Sequence, residues 1–148
     1  MKPLIVLLSV FGLCIGITAF LGNVDIDFSG RIAMSAMLAF TAMGHFKFTG
    51  GMAMMLPAFI PAKKQVVLIT GVIEILAAVG LLVSSTIQIT GILLIVFFVV
   101  ILPANIYAAI KKVDLEKANH AGSGIKYLWF RVPEQLLFIV WVYFFAIK

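Results

Sequence analysis

The side chain best placed to do chemistry is an acid inside a long apolar run. Glu74 is the only charged residue between Lys64 and Lys111. At about 1.5 Å per helical residue it lies roughly 15 Å beyond Lys64, close to the centre of a hydrocarbon core about 30 Å thick. A charge at that depth costs about 2.5–3.5 kcal/mol on insertion scales, so we expect Glu74 to have a partner, a proton or a ligand.

The residues one helical turn away from Glu74 are small. Thr70, Gly71, Ala77 and Ala78 lie three or four positions away, and such residues let a neighbouring helix approach closely. Glu74 is therefore predicted to point into a helix bundle. Two interpretations stay open: a protonated carboxyl that packs helices together through a hydrogen bond, or a group that relays a proton or holds the polar part of a ligand.

Two further polar side chains interrupt apolar segments. His45 stands near the end of a predicted helix, where an imidazole can donate or accept a proton near neutral pH. Asn105 follows Pro103 by two residues, and because proline has no N–H, the carbonyl of Val99 loses its helical donor. Simpler roles stay open for both residues: an interfacial histidine that bonds a carbonyl, and an amide that joins helices beside a kink.

The last apolar segment opens with a cluster of polar residues. Arg131 precedes Glu134 by three residues and Gln135 by four, which puts an ion pair and an amide on one helix face. Anchoring at the membrane surface would also explain Arg131 and Glu134. We expect the polar residues, which come from four helices and one half of the bilayer, to line a pocket together. The residues of this predicted pocket are His45, Glu74, Asn105, Arg131 and Gln135.

The composition places these segments in a membrane. Of the 148 residues, 64% are hydrophobic and 11% are charged, against roughly 45–50% and about 25% in soluble domains. The mean hydropathy is +1.20. These values exclude a soluble globular protein and predict an all-α, polytopic helical bundle whose first partner is the lipid bilayer.

The charges and the metal-binding residue types exclude other functions. The net charge is +5, but the basic residues lie in short loops without interleaved aromatic residues, so we expect no nucleic-acid partner. Cys14 is the only cysteine, which excludes an intramolecular disulfide and a cysteine metal cluster. With only His45 and His120 as histidines, no metal site is expected. No self-contained catalytic motif is present, so the sequence leaves open whether the protein is an enzyme.

Hydropathy and breaker residues predict five membrane spans. A shorter apolar piece, Met52 to Ile60, is expected to lie at the interface or to re-enter the membrane. The predicted spans are Leu4–Leu21, Arg31–Phe48, Gln65–Val83, Ile89–Ile110 and Phe130–Ile147.

The first segment, residues 1–22, has two interpretations. A secretory signal peptide is one, and a retained transmembrane helix is the other. The apolar stretch is longer than the roughly 7–15 residues of a signal h-region, and no clean small-x-small cleavage site follows it. These features favour the retained helix.

The distribution of basic residues predicts the orientation of the bundle. With five spans, nine of the eleven lysines and arginines fall on one side, and only Arg31 and Lys148 fall on the other. The positive-inside rule then puts the N-terminus in the cytoplasm and the C-terminus outside, in a bacterial inner membrane. The nine residues are Lys2, Lys47, Lys63, Lys64, Lys111, Lys112, Lys117, Lys126 and Arg131.

The polar positions also resemble a known family pattern. The chain from Arg31 to Ile147 is similar to the DoxX-like family of small membrane proteins. The residues that carry the resemblance are Arg31, Gly44-His45-Phe46, Pro57 and Pro61, Gly71-x-x-Glu74, Pro103-Ala104-Asn105 and Arg131-x-Pro133-x-Gln135.

The resemblance implies a fold and a context. It assigns a four-helix membrane core to residues 31–148 and makes the first helix an addition to that core. Members of the family are linked to redox functions and oxidative stress, and some distant relatives look like assembly chaperones. Because this chain has no cysteine pair and no metal set, a redox role would require a bound quinone or partner subunits of a membrane oxidoreductase.

Three functions are compared on this basis. The leading prediction is an inward-facing pocket that binds a lipophilic, quinone-like molecule as part of a membrane redox system. The second is an assembly factor or subunit without a ligand, in which the polar residues only join helices. The third is a proton-coupled carrier of small solutes, which would have to work as a homo-oligomer because 148 residues show no inverted repeat.

Overall fold

The computed structural model describes residues 2–148 and is built from helices joined by turns, with no strand in that range. The predicted all-α class is confirmed. Three helical segments are long and apolar enough to cross a membrane: Lys2–Phe20, Ile87–Ile110 and Ile125–Ile147. The helices in chain order are α1 Lys2–Phe20, α2 Ile26–Lys47, α3 Thr49–Ala53, α4 Lys63–Gly80, α5 Ile87–Ile110 and α6 Ile125–Val142, which continues as a π-helical turn, Tyr143–Ile147.

Helix α2 begins earlier than the sequence analysis predicted. Hydropathy predicts a span that begins at Arg31, yet α2 starts at Ile26. Asp25 caps it: its Oδ1 accepts a hydrogen bond from the N–H of Phe28 at 2.8 Å. An aspartate at this position satisfies one of the backbone donors that a helix leaves free at its start, so the acidic loop residue is a helix signal.

The start of α6 was also predicted wrongly. The helix begins at Ile125, five residues before the expected Phe130, directly after Gly124 with φ +62°. Pro133 therefore lies inside α6 and not in its first turn. As proline has no N–H, the carbonyl of Trp129, four residues earlier, has no donor from the helix.

The segment between α2 and α4 is helical only at its beginning. The adjacent Gly50 and Gly51, which would ordinarily favour a break, lie inside the short helix α3. The predicted interfacial piece from Met52 to Ile60 begins in the last two residues of α3 and continues as turns and bends. The Thr49 hydroxyl donates to the carbonyl of His45 at 2.7 Å. This bond satisfies a carbonyl at the end of α2 and holds α3 against it.

Helix α2 is central to the bundle. It packs along α1 on one side and α4 on the other, while α5 packs on α6 and its π-helical turn. The Trp141 indole N–H of α6 donates to the carbonyl of Gly30 in α2 at 3.0 Å. The buried apolar core joins all five long helices and contains Leu7, Ala33, Met34, Met37, Leu38, Ala78, Leu81, Leu94, Phe98, Phe138 and Val142.

The first helix contributes to this core through one fully buried leucine. Leu7 is 0% exposed, whereas its neighbour Leu8 is 50% exposed. We expect Leu7→Ala to lower the free energy of unfolding by about 2 kcal/mol or more, because it leaves a cavity between helices. Thermal unfolding in mild detergent measures the change, and Leu8→Ala is the matched control. Equal losses for the two variants would mean that α1 does not pack on the bundle.

Candidate functional site

The five residues of the predicted pocket surround one cavity. Its volume is about 760 Å³, within the range of roughly 300–1,000 Å³ typical of small-molecule sites. His45 comes from α2, Glu74 from α4, Asn105 from α5, and Arg131 and Gln135 from α6. The structure therefore brings together side chains that are up to ninety positions apart in the chain.

A histidine–carboxyl pair joins α2 to α4 at this cavity. His45 Nε2 lies 3.5 Å from Glu74 Oε1. The other ring nitrogen, Nδ1, lies 3.0 Å from the carbonyl of Val67 and 3.0 Å from the hydroxyl of Thr70. The Thr70 hydroxyl itself donates to the carbonyl of Val67 at 2.8 Å. The imidazole is thus held in place by groups one and two turns before Glu74 on α4.

The hydrogen bonds of His45 indicate which ring nitrogen carries a proton. A carbonyl only accepts hydrogen bonds, so His45 Nδ1 carries a proton and donates it towards Val67 and Thr70. The Nε2 atom then faces Glu74 Oε1, and two forms of the pair fit this arrangement: imidazolium with carboxylate, or neutral imidazole with carboxylic acid. In either case the pair has no net charge, and Glu74 Oε2 remains an acceptor.

The second carboxyl oxygen of Glu74, Oε2, is buried without a hydrogen-bond partner among the described residues. Glu74 is 5% exposed, and within residues 2–148 its Oε2 has no hydrogen-bond partner. A buried polar atom without a partner costs about 1–3 kcal/mol. Glu74 is among the residues that line the cavity, so a donor that reached Oε2 from there would remove this cost.

Two amides join α5 to α6 on another wall. Asn105 Nδ2 donates to Gln135 Oε1 at 3.1 Å, and Gln135 Nε2 donates to the backbone carbonyl of Phe98. Both side chains are buried. The sequence analysis identified the carbonyl of Val99 as the one that Pro103 leaves without a helical donor. The Gln135 amide bonds instead to the carbonyl of Phe98, the preceding residue.

Arg131 forms the predicted ion pair within α6. Its Nη1 lies 2.8 Å from Glu134 Oε2, and Glu134 is 3% exposed. The Arg131 Nε–H is buried and, in the part of the chain that the structure describes, has no acceptor. The charge of the guanidinium is thus balanced, while one of its N–H groups has no acceptor among the described residues.

A glycine lets the pair form. A Cβ placed on Gly71 would lie 2.8 Å from the Cβ of His45, closer than two such atoms can approach. The small face predicted around Glu74 is therefore the contact between α2 and α4, and Gly71 permits the approach that brings His45 to Glu74.

Comparison with known proteins decides the family of the chain. Residues 34–146 match the family described as a domain of unknown function, DUF8561. The chain belongs to the DUF8561 family. No curated protein and no solved structure gives a significant match.

The DUF8561 match contains all five pocket residues, whereas the segment before residue 34 contributes part of the cavity mouth. Lys2 and Pro3 of α1 line the cavity, and Lys2 forms an ion pair with Glu116. The neighbouring Leu115 also lines it, and its carbonyl fits against Gly51 in α3 so closely that a Cβ there would overlap it. The sequence analysis did not predict the ion pair of Lys2 with Glu116, because no local pattern relates two residues that are 114 positions apart.

Apolar side chains form most of the remaining wall around the DUF8561 pocket. Phe98, Phe138 and Met37 are each buried and line it from three helices. Met52 and Met55, from the methionine-rich stretch after α2, lie in the wall as well. Residues 2–148 contain no group of three His, Cys, Asp or Glu side chains that could hold a metal ion.

Proposed function

We propose that this DUF8561 protein binds a lipophilic molecule with a polar head group in the cavity between its membrane helices. The observation that carries the proposal is the buried Glu74 Oε2, which has no partner within residues 2–148 and belongs to a residue that lines a cavity with mainly apolar walls. A carboxyl that only packed helices together would be expected to use both of its oxygens.

Each polar residue has a role in this proposal. Glu74 and His45 share a proton at the cavity and would exchange it with the head group. The paired amides Asn105 and Gln135 would orient the head group, and Arg131 would donate its free N–H to an oxygen of the ligand. The apolar wall would hold the remainder of the molecule.

We further propose that all five long helices cross a bacterial inner membrane with the N-terminus in the cytoplasm. The ion pair of Lys2 with Glu116 at one end, and a second cavity that groups Asp27, Arg31 and Lys148 at the other, support the division of the basic residues on which this orientation is based. The main cavity would then open towards the cytoplasmic side.

The context that we propose is a membrane redox system. It is based on the resemblance to the DoxX-like family, whose four-helix core would correspond to α2, α4, α5 and α6. The chain has one cysteine, so a quinone-like ligand or partner subunits would supply the redox chemistry.

A second candidate is a subunit or assembly factor without a ligand. The observation that favours it is the amide bridge, because Asn105 and Gln135 bond to each other and to Phe98 and join α5 to α6. In this alternative the cavity would be a packing defect, and the polar residues would fix the helix register.

Co-purification distinguishes the two candidates. The full chain is extracted in mild detergent, and mass spectrometry identifies every small molecule and protein retained by the wild type, by Glu74→Gln and by the control Asp27→Asn, which neutralises an exposed acid outside the cavity. We expect a lipophilic molecule in the wild type and in Asp27→Asn, with at least a fivefold loss in Glu74→Gln because a charge-assisted hydrogen bond is lost. Protein partners without a small molecule, equal in all three, would contradict ligand binding.

A further inference from the structure

We infer that the head group bound in this cavity is uncharged and carries a hydroxyl or N–H donor that bonds to Glu74 Oε2. The inference rests on the proposed function and specifies the class of its ligand. It therefore separates hydroxylated amphipaths, such as a phenol or a hydroxylated ring with a hydrocarbon tail, from molecules of the same shape whose oxygens only accept hydrogen bonds. Of a quinone-like ligand it selects the reduced, hydroxylated form, because the oxidised ring has acceptor oxygens alone.

The donor is required by the geometry around His45. Its Nδ1 is committed to Val67 and Thr70, and its Nε2 faces Glu74 Oε1 at 3.5 Å. If Oε2 held the proton of the pair while the imidazole was neutral, lone pairs on Nε2 and Oε1 would face each other. The proton therefore lies between Nε2 and Oε1, and Oε2 must receive a proton donor from outside the pair.

The lack of charge on the head group follows from the balance of ionisable side chains. Glu74 is balanced by His45, and the guanidinium of Arg131 by Glu134. At the mouth Lys2 is paired with Glu116, and Lys47 is exposed. A phosphate, a carboxylate or an ammonium deep in the cavity would add an unbalanced charge to a site of low polarity.

Arg131 completes the recognition. Its buried Nε–H has no acceptor among the described residues, and Arg131 lines the same cavity. A head group with one donor and one acceptor oxygen would satisfy both unpaired atoms. A molecule with acceptor oxygens alone would satisfy Arg131 and leave Glu74 Oε2 unpaired.

A pair of probes that differ by one hydrogen-bond donor tests the inference. Para-nonylphenol and its methyl ether, para-nonylanisole, share a ring and a tail, but only the phenol donates. Binding of each to the full chain in detergent is measured by native mass spectrometry, for the wild type, Glu74→Leu, Glu74→Gln and the control Asp27→Asn. Because partition of each probe into the micelle is common to all variants, the phenol-to-ether ratio of each variant is compared with that of the wild type.

The phenol-to-ether ratio of the wild type and of Asp27→Asn is expected to be about tenfold higher than that of Glu74→Leu, because a tenfold change is about the value of one hydrogen bond. Glu74→Gln, which keeps a neutral acceptor, should give an intermediate ratio and serves if the leucine variant does not fold. Equal ratios in the wild type and the Glu74 variants, with both probes bound, would overturn the inference and leave the proposed function standing. If neither probe bound to the wild type, both the inference and the proposed function would be overturned.

Discussion

Replacing His45 by leucine is expected to be the most destabilising single change in the cavity, with a loss of about 3 kcal/mol in the free energy of unfolding. The substitution removes the group that faces Glu74 Oε1, and Oε2 has no partner within residues 2–148. A carboxyl that is 5% exposed would then have two unpaired oxygens. Protonation of Glu74 relieves part of this cost but leaves its hydrogen bonds unmade.

The double variant His45→Leu with Glu74→Leu should recover most of that loss. Removing both members of a buried pair leaves apolar side chains of similar size and no unpaired polar atom from the pair. Denaturant titration of the four proteins in mild detergent gives the coupling energy directly. If the losses of the two single variants simply added, the pair would not be coupled in the folded state, and the shared proton at this site would be disproved.

Gln135→Leu is expected to lower the free energy of unfolding by about 2 kcal/mol. Gln135 accepts from Asn105 Nδ2 at 3.1 Å and donates to the carbonyl of Phe98. Its loss leaves a buried donor and a buried acceptor without the partner they have in the structure, each of which costs about 1–3 kcal/mol before the site relaxes.

Gln88 offers a matched control for this variant. It carries the same amide at the start of α5 but is exposed, so Gln88→Leu should change stability by no more than about 0.5 kcal/mol. Denaturant titration in detergent, with helicity followed by circular dichroism, measures both variants. A Gln135→Leu protein as stable as the Gln88→Leu protein would show that the amide bridge does not join α5 to α6.

Much of the fold could be predicted because hydropathy is a local property. The long apolar runs located all five long helices to within a few residues at most ends. The two largest boundary errors have local causes as well. Asp25 caps α2 and Gly124 directly precedes α6, and both residues lie outside the spans that hydropathy predicts.

The candidate site could be predicted in part for the same reason. A charge or amide in an apolar run is visible in the sequence, and its depth follows from the rise of a helix, so the levels of Glu74 and Asn105 could be estimated. The spacing of Arg131 and Glu134 also predicted their ion pair, which the structure confirms at 2.8 Å.

The sequence by itself determined that the chain is helical and suited to a membrane, and which polar side chains its helices carry. Only the tertiary structure decided that His45 faces Glu74, that Gln135 bonds to Phe98, and that Lys2 meets Glu116 across 114 positions. The physical reason is that helix rotation and separation depend on close packing between distant surfaces, such as Gly71 against His45. No local pattern contains that information.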